Sequence, residues 1–323
     1  MAMAVAAARL LDFSRPVDVP LLESTVELMY GPTAGDQRVA AERLLLQFQE
    51  HPQAWQHVDT ILSTAQNQAT KYFALQILEN IIKFKWGALP EEQREGIKTF
   101  LSNLIIRYAA DEGLFRKESS FVNKLNITLV NILKHDWPGK WKTFVPDIVS
   151  ASKTSETLCE NTMRIFKLLS EEVFDFSRLD LTQAKTKELK NALNNDFRLI
   201  HELCVFVLCN TRKPDLVRAT LDTLAVYLTW VPLGYIFESN MLQLLLNLFP
   251  QPAFRNVALQ CLSEVGSLVM APEFNKHFED FYKFFMQGLQ VIVPPTVNIP
   301  EAYERGTDEQ QRFIQNLALF FTG

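Results

Sequence analysis

The chain has 323 residues, of which 48% are hydrophobic, and a formal net charge of −5. This length exceeds one ordinary compact core and indicates several domains or stacked repeats. The mixed charge excludes the basic surface of a nucleic-acid-binding protein, and 11 glycines are too few for glycine-rich phosphate loops or a strand-and-turn protein.

Apolar residues recur at helical spacing along almost the whole chain, and no alternating run of strand length stands out. Prolines fall between these periodic segments, where helices cannot easily continue. The sequence therefore predicts an all-α chain with helices, in chain order, near residues 20–30, 36–50, 53–66, 69–86, 90–109, 119–136, 139–152, 156–173, 182–210, 213–230, 233–249, 253–270, 273–293 and 308–322.

After the first helix, we expect the others to pair in order, 36–50 with 53–66, 69–86 with 90–109, and so on. Three tryptophans end predicted helices close to a proline, at Trp86, Trp137 and Trp230. They are separated by roughly one and two units of about 46 residues, near the 40–47 period of HEAT repeats. We expect such tryptophans to fill the corners between paired helices.

Several helices carry apolar residues on more than one face. In the segment 70–86, Phe73, Ile77 and Ile81 form one stripe, while Leu75 and Leu78 belong to another. One pair of helices cannot cover both faces, but stacking on neighbouring pairs can. The predicted fold is therefore an α–α superhelix, a solenoid of about six HEAT-type helical hairpins.

The last predicted helix has an apolar stripe and no polar capping helix after it. Since a complete solenoid needs a polar end cap, we expect the chain to be the N-terminal part of a longer protein. On this interpretation, residues 308–323 are the first helix of an incomplete repeat.

Two residue pairs raise the alternative of a helical enzyme or metal site, His135 with Asp136 and His201 with Cys204. The first pair is expected to lie at the end of a helix, where a histidine suits the helix dipole and adjacent side chains point about 100° apart. The second pair shares a helix face but has no further ligand in sequence, which favours core packing. We therefore predict no catalytic residue, no metal site and no cofactor.

Four cysteines, too few for a disulfide framework and without zinc-site spacing, indicate a reducing compartment. No secretory signal or membrane-spanning run is evident, so neither a membrane nor nucleic acid is expected as a direct partner.

Longer strings carry a family resemblance. The segment TKYFALQILENIIKFKW, Thr70–Trp86, resembles the second repeat of the importin-β, or karyopherin, superfamily. The strings at Lys153–Ser177, Trp230–Ser239 and Phe254–Val265, and the closing DEQQRFIQNLALFF, are similar to nuclear export receptors of that superfamily. The likeness covers nearly the whole chain from Leu10 onward.

The resemblance implies a non-enzymatic receptor that carries proteins with leucine-rich export signals out of the nucleus together with Ran-GTP. It implies shuttling between nucleus and cytoplasm and contact of the outer surface with phenylalanine–glycine nucleoporins. The export-signal groove of the family, like its inhibitor-reactive cysteine, lies beyond Gly323, so cargo would bind through the remainder of the chain. None of the four cysteines here takes that reactive role.

The implied domains are a lead segment with one helix at 1–35, the importin-β N-terminal homology region with repeats 1–2 at 36–107, exportin-type repeats 3–6 at 108–307, and the incomplete repeat at 308–323. Ran is expected on the inner, second helices, which the predicted phase places at 53–66 and 90–109. The candidate contacts are Trp55, Asp59, Gln93, Thr99 and Asn103. The competing hypothesis is an α-solenoid scaffold or adaptor outside nuclear transport.

Overall fold

The computed structural model describes residues 2–31, 35–174, 181–269 and 271–322, and every regular element in these ranges is a helix. The predicted all-α solenoid class is confirmed, because helices stack side by side in rows. The chain divides into two compact units, unit 1 at Met1–Trp137 and unit 2 at Pro138–Gly323.

Unit 1 has eight α-helices within its described residues, and short 3₁₀ turns at Ala54–His57 and Trp86–Ala88. The helices are α1 Ala2–Leu10, α2 Val19–Tyr30, α3 Asp36–Glu50, α4 Val58–Thr64, α5 Gln68–Lys85, α6 Glu91–Ala110, α7 Glu112–Lys117 and α8 Ser119–Asp136.

The core of unit 1 surrounds α5, which packs against α2, α4 and α8. The two apolar stripes predicted for this helix are both buried: Phe73, Ile77 and Ile81 on one, Leu75 and Leu78 on the other. Between α5 and α8, the Glu79 carboxylate pairs with Lys124 Nζ at 2.7 Å. This double-faced burial is the reason α5 needs neighbours on both sides.

Unit 2 has ten α-helices in its described part, and a 3₁₀ turn at Pro272–Phe274. The helices are α9 Phe144–Ser152, α10 Glu156–Phe174, α11 Gln183–Asn210, α12 Pro214–Leu228, α13 Leu233–Phe237, α14 Met241–Leu248, α15 Arg255–Gly266, α16 Asn275–Ile292, α17 Ile299–Arg305 and α18 Asp308–Thr322.

In unit 2, α10, α12, α15 and α18 form one closely packed row, each helix beside the next. A second row of α9, α11, α14 and α16 packs less closely along its length. A polar tie crosses the closer row, since Thr223 Oγ1 on α12 donates to the Met163 carbonyl on α10 at 2.8 Å.

The pairing differs in phase from the sequence prediction. Helix α4 packs on α5, α6 on α8, α9 on α10, and α14 on α15. The prediction that the helices at 69–86 and 90–109 form one hairpin is therefore wrong. Helix α18 packs beside α15 and α17, and the assignment of residues 308–323 to an incomplete repeat stays a prediction.

The helix list itself needs three additions. Helix α1 was missed although its alanine-rich sequence favours helix, so the lead segment has two helices rather than one. Helix α7 begins where the Asp111 carboxylate accepts from Leu114 N at 2.9 Å, and α17 begins at a similar cap on Asn298.

The predicted helix at 233–249 is broken in two, because Ser239 interrupts it. Its hydroxyl donates to the Tyr235 carbonyl at 2.7 Å, which closes α13, and accepts from Met241 N at 3.1 Å, which opens α14.

The tryptophan corners behave as structural anchors. Trp86 is 2% exposed and Trp137 is fully buried. Trp230 stacks on Phe174 with ring centroids 4.5 Å apart and donates its Nε1–H to Ser170 Oγ at 3.2 Å. Trp86, which donates to Asp136, and Trp230 thus tie neighbouring helices together, whereas Trp137 is packed in the core.

Candidate partner-binding surface

The five candidate contacts fall into two groups in unit 1. Trp55 is half-buried in the 3₁₀ turn that precedes α4. Asp59 is exposed in the first turn of α4, where its carboxylate accepts from Thr60 N at 2.7 Å. Because α4 packs against α5, this group flanks the surface of α5.

The other three candidates lie on α6. Thr99 and Asn103 are exposed and, four residues apart, share one helix face, whereas Gln93 is half-buried. Helix α6 packs on α8 through its opposite, apolar side, which includes Leu101 and Leu104. The five residues are therefore divided between α6 and the segment formed by α4 and the turn before it.

Sequence reasoning missed an exposed stripe on α5. Gln76, Asn80, Lys83 and Phe84 are exposed along one side of this otherwise buried helix, and the Phe84 side chain is 71% exposed. The Lys83 ammonium lies 5.5 Å from the centroid of the Phe84 ring. The sequence signal is the set of polar residues at i, i+4 and i+7 among apolar ones, but the predicted phase made α5 the first helix of its pair rather than the second.

The α5 stripe stands on rigid support. Lys124 and Thr128 of α8 both reach the Glu79 carboxylate, at 2.7 Å and 3.4 Å. Helix α5 is also the second helix of the α4–α5 pair.

The His135–Asp136 pair is not a proton-transfer site. His135 is exposed, while Asp136 is buried, with 2% of its surface exposed. The Asp136 carboxylate accepts from Trp86 Nε1 at 2.9 Å and pairs with Lys98 Nζ at 3.3 Å. These contacts fix the ends of α5 and α8 and the side of α6, which is a structural role.

The His201–Cys204 pair is not a metal site either. His201 Nε2 donates to the Tyr235 carbonyl at 3.1 Å, and Cys204 Sγ lies 3.9 Å from Met163 Sδ in the core. Burial lowers the pKa of His201, although the Tyr235 contact partly opposes this. Among the described residues, no group of three or more potential ligands could hold a metal ion.

All four cysteines lie in the described ranges, and each is a free thiol. Burial raises the pKa of Cys159 to about 11 and that of Cys204 and Cys261 further still. Since the thiolate is the reactive form, these three thiols are protonated and inert at neutral pH.

Comparison with known proteins gives two family matches. The model described as Importin-beta N-terminal domain matches residues 41–107, and the model described as Exportin 1-like protein matches residues 118–262. Protein EXPORTIN 1B of Arabidopsis thaliana is 53% identical over 98% of this chain and 30% of its own length. Exportin-1 of Drosophila melanogaster is 45% identical over 97% of the chain and 29% of its own length.

Exportin-1 of Schizosaccharomyces pombe is 43% identical over 96% of the chain and 29% of its own length. The chain belongs to the importin-β superfamily. The resemblance predicted from the sequence strings is thereby confirmed. The chain spans about 30% of the length of the curated relatives it matches.

In the part of the chain that the structure describes, no helix combines the length and the apolar character needed to cross a bilayer.

Proposed function

We propose that the chain is the N-terminal part of a nuclear export receptor, which carries proteins with leucine-rich export signals out of the nucleus together with Ran-GTP. The observation that supports this most strongly is 43–53% identity to exportin-1 proteins over nearly the whole chain. The receptor shuttles between nucleus and cytoplasm, contacts phenylalanine–glycine nucleoporins and performs no catalysis. Export-signal cargo binds outside this chain.

Within this proposal, residues 36–107 act as the importin-β N-terminal homology region and residues 108–307 as exportin-type repeats 3–6. The chain contributes part of the surface that binds Ran-GTP. Two surfaces of unit 1 are candidates: the predicted contacts Trp55, Asp59, Gln93, Thr99 and Asn103, and the exposed stripe of α5.

The α5 stripe is the stronger candidate for the principal contact. It lies on a second helix, combines Phe84 with the polar Gln76, Asn80 and Lys83, and rests on the Glu79–Lys124 ion pair. Aromatic residues, phenylalanine among them, are enriched at protein interfaces, and Phe84 is the large exposed aromatic ring of this stripe. The five predicted contacts then form the flank.

The test is capture of Ran, loaded with GTP or with GDP, by the full-length receptor that carries this chain. We expect capture of the GTP form only. Replacing Gln76, Asn80 and Phe84 by alanine is expected to weaken that capture by about tenfold, since interface hot spots carry most of the affinity. A second variant, with Asp59, Gln93, Thr99 and Asn103 replaced by alanine, measures the flank.

The matched control replaces Gln287 and Gln290 by alanine, since both are exposed polar residues on α16 of unit 2. Circular dichroism and melting temperature confirm that each variant is folded. Equal capture of the two nucleotide forms would favour the alternative, a solenoid scaffold outside nuclear transport. A larger loss from the flank variant than from the α5 variant would reverse the ranking of the two surfaces.

A further inference from the structure

A groove of about 610 Å³ crosses three neighbouring helices of unit 2, α12, α15 and α18. Its walls include Val226 and Thr229 of α12, Glu264 and Ser267 of α15, and Asn316 and Leu319 of α18. It is separate from the surfaces of unit 1 considered for Ran, and the inference drawn from it does not depend on the proposed function.

Asn316, one of the residues that line this groove, leaves a hydrogen-bond donor unused. Its side chain is 8% exposed, and its Nδ2 atom is buried without a hydrogen-bond partner. Buried polar groups in proteins are nearly always paired, and an unpaired donor is unfavourable. Because the terminal torsion of asparagine is broad, a small rotation lets the amide meet an acceptor that lies in the groove.

Glu264 adds a carboxyl group from α15, the middle helix of the three. It is half-buried, and the lining residues include no lysine, arginine or histidine that could neutralise it. Burial raises the pKa of Glu264, because leaving water disfavours its charged form. The groove therefore favours a ligand that brings a positive charge.

The groove also presents an aliphatic surface. Leu319 is 63% exposed, and Val226 is half-buried on the opposite wall. Adjacent helices lie about 10 Å apart, so three of them span about 20 Å, the length of about six residues of extended peptide.

We propose that this groove binds an extended peptide segment of a partner protein in which a lysine or arginine stands next to an aliphatic residue. The basic group pairs with the Glu264 carboxylate, the aliphatic side chain covers Leu319 and Val226, and a main-chain carbonyl accepts from Asn316 Nδ2. Each of these three ligand groups therefore has a complementary group in the lining of the groove.

The test is fluorescence anisotropy of the chain with a fluorescein-labelled hexapeptide, GSLKVS, and with the analogue GSLEVS, in which glutamate replaces lysine. We expect saturable binding of the lysine peptide and binding of the glutamate peptide at least about tenfold weaker. Glu264→Gln is expected to weaken the lysine peptide by about fivefold, whereas Glu279→Gln, at an exposed carboxyl on α16, leaves its affinity unchanged.

Asn316→Leu provides a signature that a merely structural asparagine would not give. It removes an unpaired buried donor, so the melting temperature of the free chain should rise while the lysine peptide binds about fivefold more weakly. The proposal is overturned by equal binding of the two peptides, by unchanged affinity in Asn316→Leu, or by no saturable binding up to about 1 mM peptide.

Discussion

At the residue scale, Asp136 shows how a charged side chain can look catalytic in sequence and serve the core in the fold. Its side chain is 1% exposed, and that of its partner Lys98 is 4% exposed. Lys98 Nζ also reaches Glu95 at 2.5 Å, and Trp86 Nε1 donates to Asp136. A buried charge is tolerated here because it is both paired and hydrogen-bonded.

Removing one partner of this ion pair should be costly. Asp136→Ala removes a buried counter-charge of the Lys98 ammonium, whose other counter-charge, Glu95, is more exposed, and should lower the free energy of unfolding by about 3 kcal/mol. Urea denaturation of unit 1 measures the change. Lys83→Met, at an exposed lysine of α5, is the control and should have little effect.

The double variant Asp136→Ala with Lys98→Met tests the cause of that loss. If the cost comes from an uncompensated buried charge, removing the lysine as well should restore part of the stability. A double variant no more stable than Asp136→Ala would mean that the lost Trp86 hydrogen bond and the cavity dominate instead.

At the element scale, short polar contacts decide where helices end and how hairpins close. Ser239 separates α13 from α14, and His201 joins the long helix α11 to the Tyr235 carbonyl at the end of α13. The His201 ring also packs near Phe197 and Tyr235, with centroids 6.0 Å and 5.1 Å away. A neutral imidazole is favoured where two aromatic rings and one backbone carbonyl surround the histidine.

The His201 contact makes the stability of unit 2 depend on pH. Burial lowers the pKa of His201, so the unfolded chain binds its proton more readily than the folded chain does. Stability from this group is therefore complete above the ordinary pKa of about 6.5 and is lost as pH falls through the lowered value.

Thermal unfolding at pH 7.5 and pH 5 measures this effect. The melting temperature should fall less between these pH values in His201→Gln than in the unaltered chain. His277→Gln, at an exposed histidine on α16, should keep the full pH response. An unchanged pH response in His201→Gln would assign the acid sensitivity to other groups.

At the scale of the whole molecule, contacts run mainly between neighbouring helices. In unit 2, each helix of the row α10, α12, α15 and α18 packs closely against the next helix in that row. Stability in such an array is close to a sum of local terms and nearest-neighbour interfaces. A local defect should therefore fade with distance along the row.

Phe320 allows this to be measured. The centroids of the Phe320 and Phe285 rings are 3.8 Å apart. A Cβ added at Gly266 would lie 3.2 Å from Cε2 of the Phe320 ring. Phe320→Ala should cost about 3 kcal/mol locally because it opens a cavity between α15, α16 and α18. In hydrogen exchange, protection should fall most in these three helices, less in α12 and least in α10.

Phe321→Ala is the matched control, because that neighbouring ring is 49% exposed and its loss leaves the core filled. An equal loss of protection in α10 and α18 after Phe320→Ala would show that unit 2 unfolds as one cooperative body, contrary to this expectation.

The sequence by itself determined the all-α class, most helix bounds, the structural role of the tryptophan corners and the superfamily. These properties follow from local patterns: apolar residues that recur with the helical period of about 3.6 residues, prolines at helix ends, and long strings shared with relatives. The double stripe on α5 even predicted that neighbours must cover two faces, and both faces are buried.

Only the tertiary structure decided which helices are partners, because both alternative phases use the same short turns and the same apolar faces. That choice makes α5, and not α6, the second helix of its pair. It also decided that Asp136 meets Lys98, 38 positions earlier in the chain, and that Asn316 and Glu264 share a groove. Such contacts depend on distant segments brought together by packing, which no local pattern records.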